Sequence, residues 1–175
     1  MLYFIRHGQS EANEQGVFAG SQIDSPLTKM GGQQAYESAQ KIGETGVIFD
    51  RIISSPLIRA HDTAIIIKDF IKFNGEIEID DRLTEYNFGS LTSCKKNLSM
   101  LKSGEVFSVP EAESIEGLES RIRSFLEDYE NTSENILVSA HGIVGMMAKA
   151  IFSKEDIQGF YLVEPPRNGE LWKME

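Results

Sequence analysis

The residues best suited to chemistry stand directly after the first apolar run of the chain. Residues 2–5 are apolar and are followed by Arg6, His7 and Gly8, which predicts a buried strand with a histidine at its carboxyl end. Ligands bind at this end of the strands in an open α/β sheet. A guanidinium offers a fork of donors to a phosphate group, and a neutral imidazole can attack phosphorus. We therefore expect phosphoryl chemistry at His7.

A second histidine stands in a similar setting later in the chain. His141 follows the apolar run 136–139 and precedes Gly142, where a helix is predicted to begin. The unpaired N–H groups at the start of such a helix can face an anion. We therefore expect His141 and the backbone of Gly142 to join the site of His7.

Two further side chains complete a set that could hydrolyse a phosphomonoester. Arg59 and Arg6 together would supply the charge that the three non-bridging oxygens require, without a metal ion. Glu85 is the carboxyl group that we expect to protonate the leaving alkoxide and then to activate water. His7 can attack only as neutral imidazole, so we expect its other ring nitrogen to donate to a backbone carbonyl near Gly8.

The composition argues against several kinds of partner. With 27 acidic and 17 basic residues, the chain has a formal net charge of −10, which opposes binding to nucleic acid or to an anionic membrane. The first apolar run is too short for a secretory signal, and no run approaches the length of a membrane span. The single cysteine, Cys94, cannot form an intramolecular disulfide. We expect a cytoplasmic protein that acts on a small phosphorylated molecule.

Strands and helices are predicted to alternate along one domain, residues 1–175. The predicted strands are 2–5, 51–54, 76–80, 136–139, 160–163 and 170–173. The predicted helices are about 29–44, 56–73, 95–101, 114–129 and 143–152. This alternation predicts a layered α/β fold. Residues 81–113 are poorly patterned, which predicts a lid-like loop.

Six short blocks run through nearly the whole chain in compatible order and spacing. They are Arg6-His7-Gly8 with Ser10 and Asn13; Asp24-Ser25-Pro26-Leu27-Thr28 with Gly31, Gln34 and Ala35; Ser54-Ser55-Pro56-Leu57 with Arg59, Ala60, Thr63 and Ala64; Leu83, Glu85, Phe88, Gly89 and Leu91; Pro110, Glu113, Ser114 and Arg121; and Ala140-His141-Gly142. Together they resemble the histidine phosphatase superfamily, also called the phosphoglycerate-mutase-like family. Any one block is a weak match, whereas six in order are specific.

The resemblance implies a fold and a mechanism. The fold is a three-layer α/β/α sandwich, with a mostly parallel central sheet and helices on both faces. The reaction is metal-independent hydrolysis of a phosphomonoester, in which His7 becomes phosphorylated and Glu85 donates the proton. The implied phosphate pocket comprises Arg6, Arg59, His141, Asn13, Gly20 and the backbone of Gly142. No metal ion and no organic cofactor are implied, and a monomer or a homodimer is expected.

Three places in the chain depart from the family pattern. Ala19 stands before Gly20, where a hydroxyl or amide residue that touches substrate is common. Thr92-Ser93 stands where Glu-Gly usually follows the acid block, and Ala112 stands where glycine is common. These departures affect one contact with the substrate, the packing beneath Glu85 and the turn before the helix predicted at 114–129.

Two other functions compete with hydrolysis. A mutase or other phosphotransferase needs a pocket that excludes water and holds a second anionic group. Residues 92–109 lack the adjacent arginines and the Pro-rich run of mutase members, which favours a phosphatase. A non-catalytic module that binds a phosphorylated ligand would need neither His7 nor Glu85, so the presence of both favours an enzyme.

Several single residues also have simpler interpretations. Three other loop carboxylates compete with Glu85 for the acid role: Asp80, Asp81 and Glu111. Three lysines either receive a second substrate group or form a solvated helix face: Lys95, Lys96 and Lys102. His61 lies two residues after Arg59, and we expect it to face away from the site. The histidines lack the paired spacing of a zinc site.

Overall fold

The central element of the fold is a five-stranded sheet. The structure, a computed structural model, describes residues 1–154, 157–162 and 164–174. The strands are β1 (Leu2–Arg6), β2 (Arg51–Ser54), β3 (Ile77–Ile79), β4 (Ile136–Ala140) and β5 (Leu171–Lys173). Their order is β3-β2-β4-β1-β5, in which β5 is antiparallel to β1 and the other neighbours are parallel. The predicted mostly parallel sheet is confirmed.

Helices cover both faces of this sheet. The helices are α1 (Glu11–Glu14), α2 (Lys29–Thr45), α3 (Ile58–Ile71), α4 (Leu98–Ser103), α5 (Ile115–Glu127) and α6 (Gly142–Phe152). Alternate strand residues enter two separate cores: Ile5, Ile52 and Leu137 pack with α2 and α3, whereas Phe4, Ile53 and Val138 pack with α5 and α6. The three-layer α/β/α sandwich is therefore confirmed.

Burial explains why the two central strands read as continuous apolar runs. All five residues of β4 are buried, and β1 lies between β4 and β5 in the sheet. A parallel strand that is covered on both faces has no position for a solvated side chain. Burying one isoleucine or valine side chain contributes about 1.5–3 kcal/mol, so these strands fix the frame that carries the site.

Local signals set the ends of the long helices where they were predicted. The Thr28 hydroxyl accepts a hydrogen bond from the Gly31 N–H at 3.0 Å, and α2 ends at Gly46, which has a φ of 68°. The Ser114 hydroxyl accepts from the Gly117 N–H at 3.0 Å and begins α5 in the same way. These caps place the first turns of both helices.

The predicted strand at 160–163 is wrong. Residues Ile157–Leu162 form a short 3-10 helix, and Val163 lies outside the described residues. A short apolar run fits a strand or a buried helical segment equally well. Here Phe160 is fully buried and packs on Phe107, with ring centroids 5.0 Å apart, so the run adds to a helical layer instead of the sheet.

Three smaller differences concern short elements. Pro56 was expected inside α3, but it precedes the N-cap, Leu57. The short helix expected at 95–101 is α4, shifted so that Asn97 is its N-cap. The four-residue helix α1 was not predicted, although Ser10 caps it through Asn13. Among the helices that the structure describes, none combines the length and apolar character needed to cross a membrane.

Candidate active site

A cavity of about 270 Å³ lies at the carboxyl ends of β1 and β4. Seven of the eight predicted site residues line it: Arg6, His7, Asn13, Gly20, Arg59, Glu85 and Gly142. The eighth, His141, is fully buried, and its ring centroid is 5.1 Å from that of His7. Residues from all parts of the chain thus meet at the sheet edge where ligands bind in such folds.

The hydrogen bonds of His7 define its tautomer. Its Nδ1 is 2.6 Å from the carbonyl oxygen of Gly8, which can only accept, so Nδ1 carries the proton and donates it. Its Nε2 is 3.3 Å from Nε of Arg59, which can only donate, so Nε2 carries a lone pair. The predicted hydrogen bond to the turn at Gly8 is confirmed.

The surroundings of His7 also keep its ring neutral. Loss of solvation on burial lowers the pKa of His7 well below its usual value, and the charges of Arg59 and Arg6 lower it further. Only the hydrogen bond to Gly8 acts in the other direction. The ring is therefore unprotonated at neutral pH, as a nucleophile must be.

A close approach of two backbones fixes the turn that carries His7. A Cβ atom on Gly8 would lie 2.1 Å from the carbonyl oxygen of Gly31, which belongs to the first turn of α2. The Gly8 N–H donates to the Thr63 hydroxyl at 3.1 Å, and that hydroxyl donates to the carbonyl of Arg59 at 2.8 Å. This chain of bonds joins the His7 turn to the helix that carries Arg59.

Arg59 is held by backbone carbonyls on a buried face of α3. Its guanidinium donates to the carbonyl oxygens of Gly20 at 2.8 Å and Ile23 at 3.0 Å, and its side chain is only 2% exposed. Burial lowers its pKa, whereas Glu85 and Asp24 raise it. Gly20 has a φ of 56° and lies against the carbonyl of Tyr86, where a Cβ would not fit. Gly20 thus contributes its carbonyl to the position of Arg59.

Two buried donors beside His7 have no hydrogen-bond partner among the described residues. One is Nε of Arg6, whose terminal nitrogen donates to the carbonyl of Pro166 at 2.6 Å. The other is Nδ1 of His141, whose Nε2 is 2.7 Å from the hydroxyl of Ser55. Buried polar atoms are normally hydrogen-bonded, so these two nitrogens are free to bind a ligand group. Because both can donate, an anion fits them.

Glu85 approaches the same place from the loop that follows β3. Its Oε1 accepts from the Tyr86 N–H at 2.9 Å, and its two oxygens are 3.4 Å from the N–H groups of Val144 and Ile143, in the first turn of α6. The N-cap of α6, His141, makes no side-chain capping bond. Glu85 therefore faces the positive end of this helix.

Placement in the cavity distinguishes Glu85 from the other candidate carboxyl groups. Of the described residues that line the cavity, Glu85 is the only one with a carboxyl group. Asp80 instead pairs with Arg82 at 2.6 Å, and neither Asp81 nor Glu111 lines the cavity. His61 does not line it either, as expected.

A turn near β5 adds a residue that the sequence did not reveal. The amide of Asn168 donates to the carbonyl of His7 at 2.9 Å and to Oδ1 of Asn13 at 3.2 Å. The next N–H, of Gly169, donates to the carbonyl of Arg6 at 3.0 Å. Asn-Gly is a turn signal, but nothing local indicates a contact with the beginning of the chain.

Comparison with known proteins matches this site to one family. The family model described as histidine phosphatase superfamily (branch 1) matches residues 2–175. The chain belongs to the histidine phosphatase superfamily. The family predicted from the six sequence blocks is thus confirmed.

Relatives of this histidine phosphatase include phosphatases and mutases. The chain is 39% identical to "Putative phosphoserine phosphatase 2" of Hydrogenobacter thermophilus, over 81% of this chain and 72% of that protein. It is 32% identical to a 2,3-bisphosphoglycerate-dependent phosphoglycerate mutase of Rhizobium etli, over 94% of this chain and 86% of that protein. A solved phosphoserine phosphatase mutant from Entamoeba histolytica, in complex with phosphoserine, is 27% identical, with a TM-score of 0.78 over 97% and 87%. These matches support a phosphatase enzyme.

The positions that depart from the superfamily pattern are accommodated in different ways. Ala19 lines the cavity with a methyl group, so no polar contact comes from this position. Ser93 has a φ of 70°, in the region where a glycine is unstrained. In the turn before α5 it is Glu111 that has a positive φ, of 64°, one residue before Ala112. The histidine phosphatase fold is thus kept with some backbone strain.

The three lysines that were candidates for substrate contact separate in the structure. Lys96 and Lys102 line the cavity, whereas Lys95 donates to the carbonyl of Gln15 at 2.8 Å. Loss of solvation lowers the pKa of Lys96, as does the charge of Arg6. Lys96 therefore lies in the electrostatic field of the arginines. Among the described residues, no cluster of three or more His, Cys, Asp or Glu side chains is placed to hold a metal ion.

Proposed function

We propose that this protein hydrolyses a small phosphomonoester through a phosphohistidine at His7, without a metal ion. The observation that carries the proposal is the state of His7, whose Nε2 has a lone pair beside the buried guanidinium group of Arg59 and in the field of Arg6. A nucleophile that is neutral, next to cations that can neutralise a phosphate, suits attack on phosphorus.

The bound phosphate would lie between Nε of Arg6 and Nδ1 of His141, the two buried nitrogens near His7 that lack a hydrogen-bond partner among the described residues. The Ser55 hydroxyl can donate to Nε2 of His141, so that Nδ1 of His141 carries a proton for a phosphate oxygen. Nε of Arg6 and the first N–H groups of α6, at Gly142, add further donors. Arg59 would exchange its bond to His7 for a bond to phosphate and thereby free the nucleophile.

The reaction then has two steps. In the first, Nε2 of His7 forms a bond to phosphorus, the bond from phosphorus to the alcohol oxygen breaks, and Glu85 gives that oxygen a proton. In the second, water attacks phosphorus while Glu85 takes back a proton, and the nitrogen–phosphorus bond breaks to release inorganic phosphate. Among the described residues, Oε2 of Glu85 makes one long contact, with the N–H of Ile143, so it has room to carry this proton.

We also propose that residues 1–175 form one domain in which the segment 81–113 acts as a lid. The segment supplies Glu85 and several other residues of the cavity wall. Backbone bonds attach it to the loop after α1: the Lys96 N–H donates to the carbonyl of Gly16 at 2.8 Å, and the N–H of Phe18 donates to the carbonyl of Cys94 at 2.9 Å. These bonds, and the burial of Tyr86, Val106 and Phe107, anchor most of the lid, so that the exposed residues around Leu98 are the part that can adjust.

The proposal is tested by measuring hydrolysis of an aryl phosphate in the presence of a metal chelator. We expect turnover by the wild type and a loss of about 10³-fold or more for His7→Ala. His61→Ala, which removes a histidine outside the cavity, serves as the matched control and should retain activity. Full activity of folded His7→Ala, or a strict requirement for added zinc, would contradict the mechanism.

The role of Glu85 is tested separately with two leaving groups. Glu85→Gln cannot deliver a proton, so we expect a much larger loss with an alkyl phosphate than with an activated aryl phosphate. Glu111→Gln removes a loop carboxyl outside the cavity and is the control. Equal losses on both substrates would remove Glu85 from the acid role.

A mutase remains the second candidate because several relatives bear that name. In a mutase reaction, the phosphate group taken from 3-phosphoglycerate would be found in a second phosphoglycerate product and not as inorganic phosphate. Product analysis by phosphorus NMR distinguishes the two reactions.

A further inference from the structure

The wall of the cavity has two parts with different chemistry. The polar wall consists of Arg6, His7, Arg59 and Glu85. The other part, here called the apolar wall, consists of Leu98, Leu101, Phe107, Ile143, Met146 and Tyr161. A phosphate group needs only the polar wall, so the apolar wall faces the remainder of the substrate.

The apolar wall is a built surface and not a chance gap. Phe107 packs on Tyr161, with ring centroids 5.7 Å apart, and both belong to the large core on the side of α5 and α6. Leu98 is the exception, because 70% of its surface is exposed although it lines the cavity from the first turn of α4. A substrate with apolar surface would cover Leu98 and remove that surface from water.

The charges around the cavity disfavour a substrate with further ionic groups. The ammonium group of an amino acid would need an anionic partner, and Glu85 is the only carboxyl among the described lining residues. A substrate carboxylate would need a cation beyond the polar wall. The cations available are Lys96 and Lys102, whose side chains are exposed in the lid segment, and an exposed ion pair contributes at most about 1 kcal/mol.

We propose that the preferred substrate is a phosphate ester of an apolar alcohol, with an aryl or alkyl body that lies against the apolar wall. This inference rests on the proposed phosphatase function and deepens it. The alcohol oxygen would lie near Glu85, and the carbon skeleton would extend towards Leu98 and α4.

The test uses ethyl, butyl and hexyl phosphate, whose alcohols differ little in acidity. The intrinsic reactivity of the three esters is then nearly the same, while the apolar surface of the alkyl chain grows along the series. We expect kcat/KM to rise by up to about fourfold per added methylene until the wall is covered. We also expect hexyl phosphate to exceed phosphoserine and 3-phosphoglycerate. A flat or falling series, or a preference of tenfold or more for either acid, would overturn the inference.

A variant pair assigns the effect to the wall. Leu98→Ser should lower kcat/KM for hexyl phosphate about tenfold and leave ethyl phosphate within about twofold. Leu162→Ser replaces another exposed leucine, 73% exposed and outside the cavity, and should change neither value. An unchanged dependence on chain length in Leu98→Ser would contradict the assignment.

Binding of the corresponding alkyl phosphonates separates this inference from the proposed function. Their carbon–phosphorus bond is not hydrolysed. Calorimetric titration of the wild type therefore measures the contribution of the apolar wall to binding affinity, without the reaction. Affinity that rises with chain length in a protein without turnover would retain the apolar wall and reject the phosphatase. Turnover together with an affinity that does not depend on chain length would retain the phosphatase and reject the apolar wall.

Discussion

Within one cavity, the buried polar groups and the exposed edge of the apolar wall are built in opposite ways. His7, Arg59 and His141 are at most 3% exposed and come from strand ends and helix turns, where backbone carbonyls or hydroxyls orient each of them. Leu98, at the apolar wall, is 70% exposed on a six-residue helix in a loop. The nucleophile and Arg59 thus lie on rigid elements, whereas Leu98 lies on a segment that can adapt to the variable part of a substrate.

The largest effect that should separate the two walls comes from Arg59→Lys. Lysine keeps the charge but cannot donate to Gly20, Ile23 and the phosphate in a fork, so we expect kcat/KM for ethyl phosphate to fall about 10²-fold. Arg123→Lys is the matched control, because Arg123 pairs with Glu119 on the exposed side of α5. Steady-state kinetics provide the measurement, and a loss below fivefold would show that charge alone suffices.

A smaller effect is expected from Asn168→Ala, which tests the support of the polar wall. The variant loses the bonds to the His7 carbonyl and to Asn13, so we expect kcat/KM to fall about tenfold for all chain lengths alike. Asn135→Ala loses one side-chain bond, to the carbonyl of Ile48, far from the cavity, and is the control. A loss that depends on the length of the alkyl chain would place Asn168 with the apolar wall instead.

The buried histidines should also make stability depend on pH. The pKa values of His7 and His141 are well below the usual value, chiefly because burial removes solvation. Above pH 6.5 both rings are neutral in the folded and unfolded chain; below it, only the unfolded chain takes up their protons. Between pH 7.5 and 5.5, each histidine should therefore lower the free energy of unfolding by about 1.4 kcal/mol.

His141→Gln tests this dependence. It removes one of the two histidines, so the variant should lose about 1.4 kcal/mol less than the wild type over the same pH interval. Urea denaturation at the two pH values gives the difference. The same loss in both proteins would mean that His141 takes up a proton without unfolding.

The smallest effect concerns the lid segment alone. Ser93 has a φ of 70°, which costs a residue with a side chain about 1–2 kcal/mol. Ser93→Gly relieves this strain but adds freedom to the unfolded chain, so we expect a net stabilisation of up to about 1 kcal/mol. Thermal unfolding measures it, with Ser99→Gly in α4 as a control that should destabilise. Unchanged activity of Ser93→Gly would show that the strain has no part in the reaction.

The parts of the site that follow simple rules of sheet geometry were predictable from the sequence. His7 and His141 end neighbouring parallel strands, so their proximity follows once two buried strands are recognised. The hydrogen bond from His7 to the Gly8 carbonyl is local, and it too was predicted. Family resemblance then added Asn13 and Gly20.

The parts that were not predictable depend on contacts between distant segments. Asn168 reaches Asn13 across 155 positions, and no local pattern records such a bond. The short run that includes Phe160 was misassigned because its burial partner, Phe107, determines its conformation. The apolar wall escaped notice for the same reason, since α4, α6 and the 3-10 helix at Ile157–Leu162 meet only in the folded chain.

The turn that closes the site also has a consequence for the order of synthesis. Nearly all groups of the polar wall are made early, but Arg6 takes its carbonyl partner from Pro166, 160 positions later, and His7 takes an amide from Asn168. A nascent chain that has passed His141 holds nucleophile, acid and arginines together, yet β1 still lacks β5 and the turn that anchors it. The site is therefore complete only when β5 has left the ribosome and paired with β1.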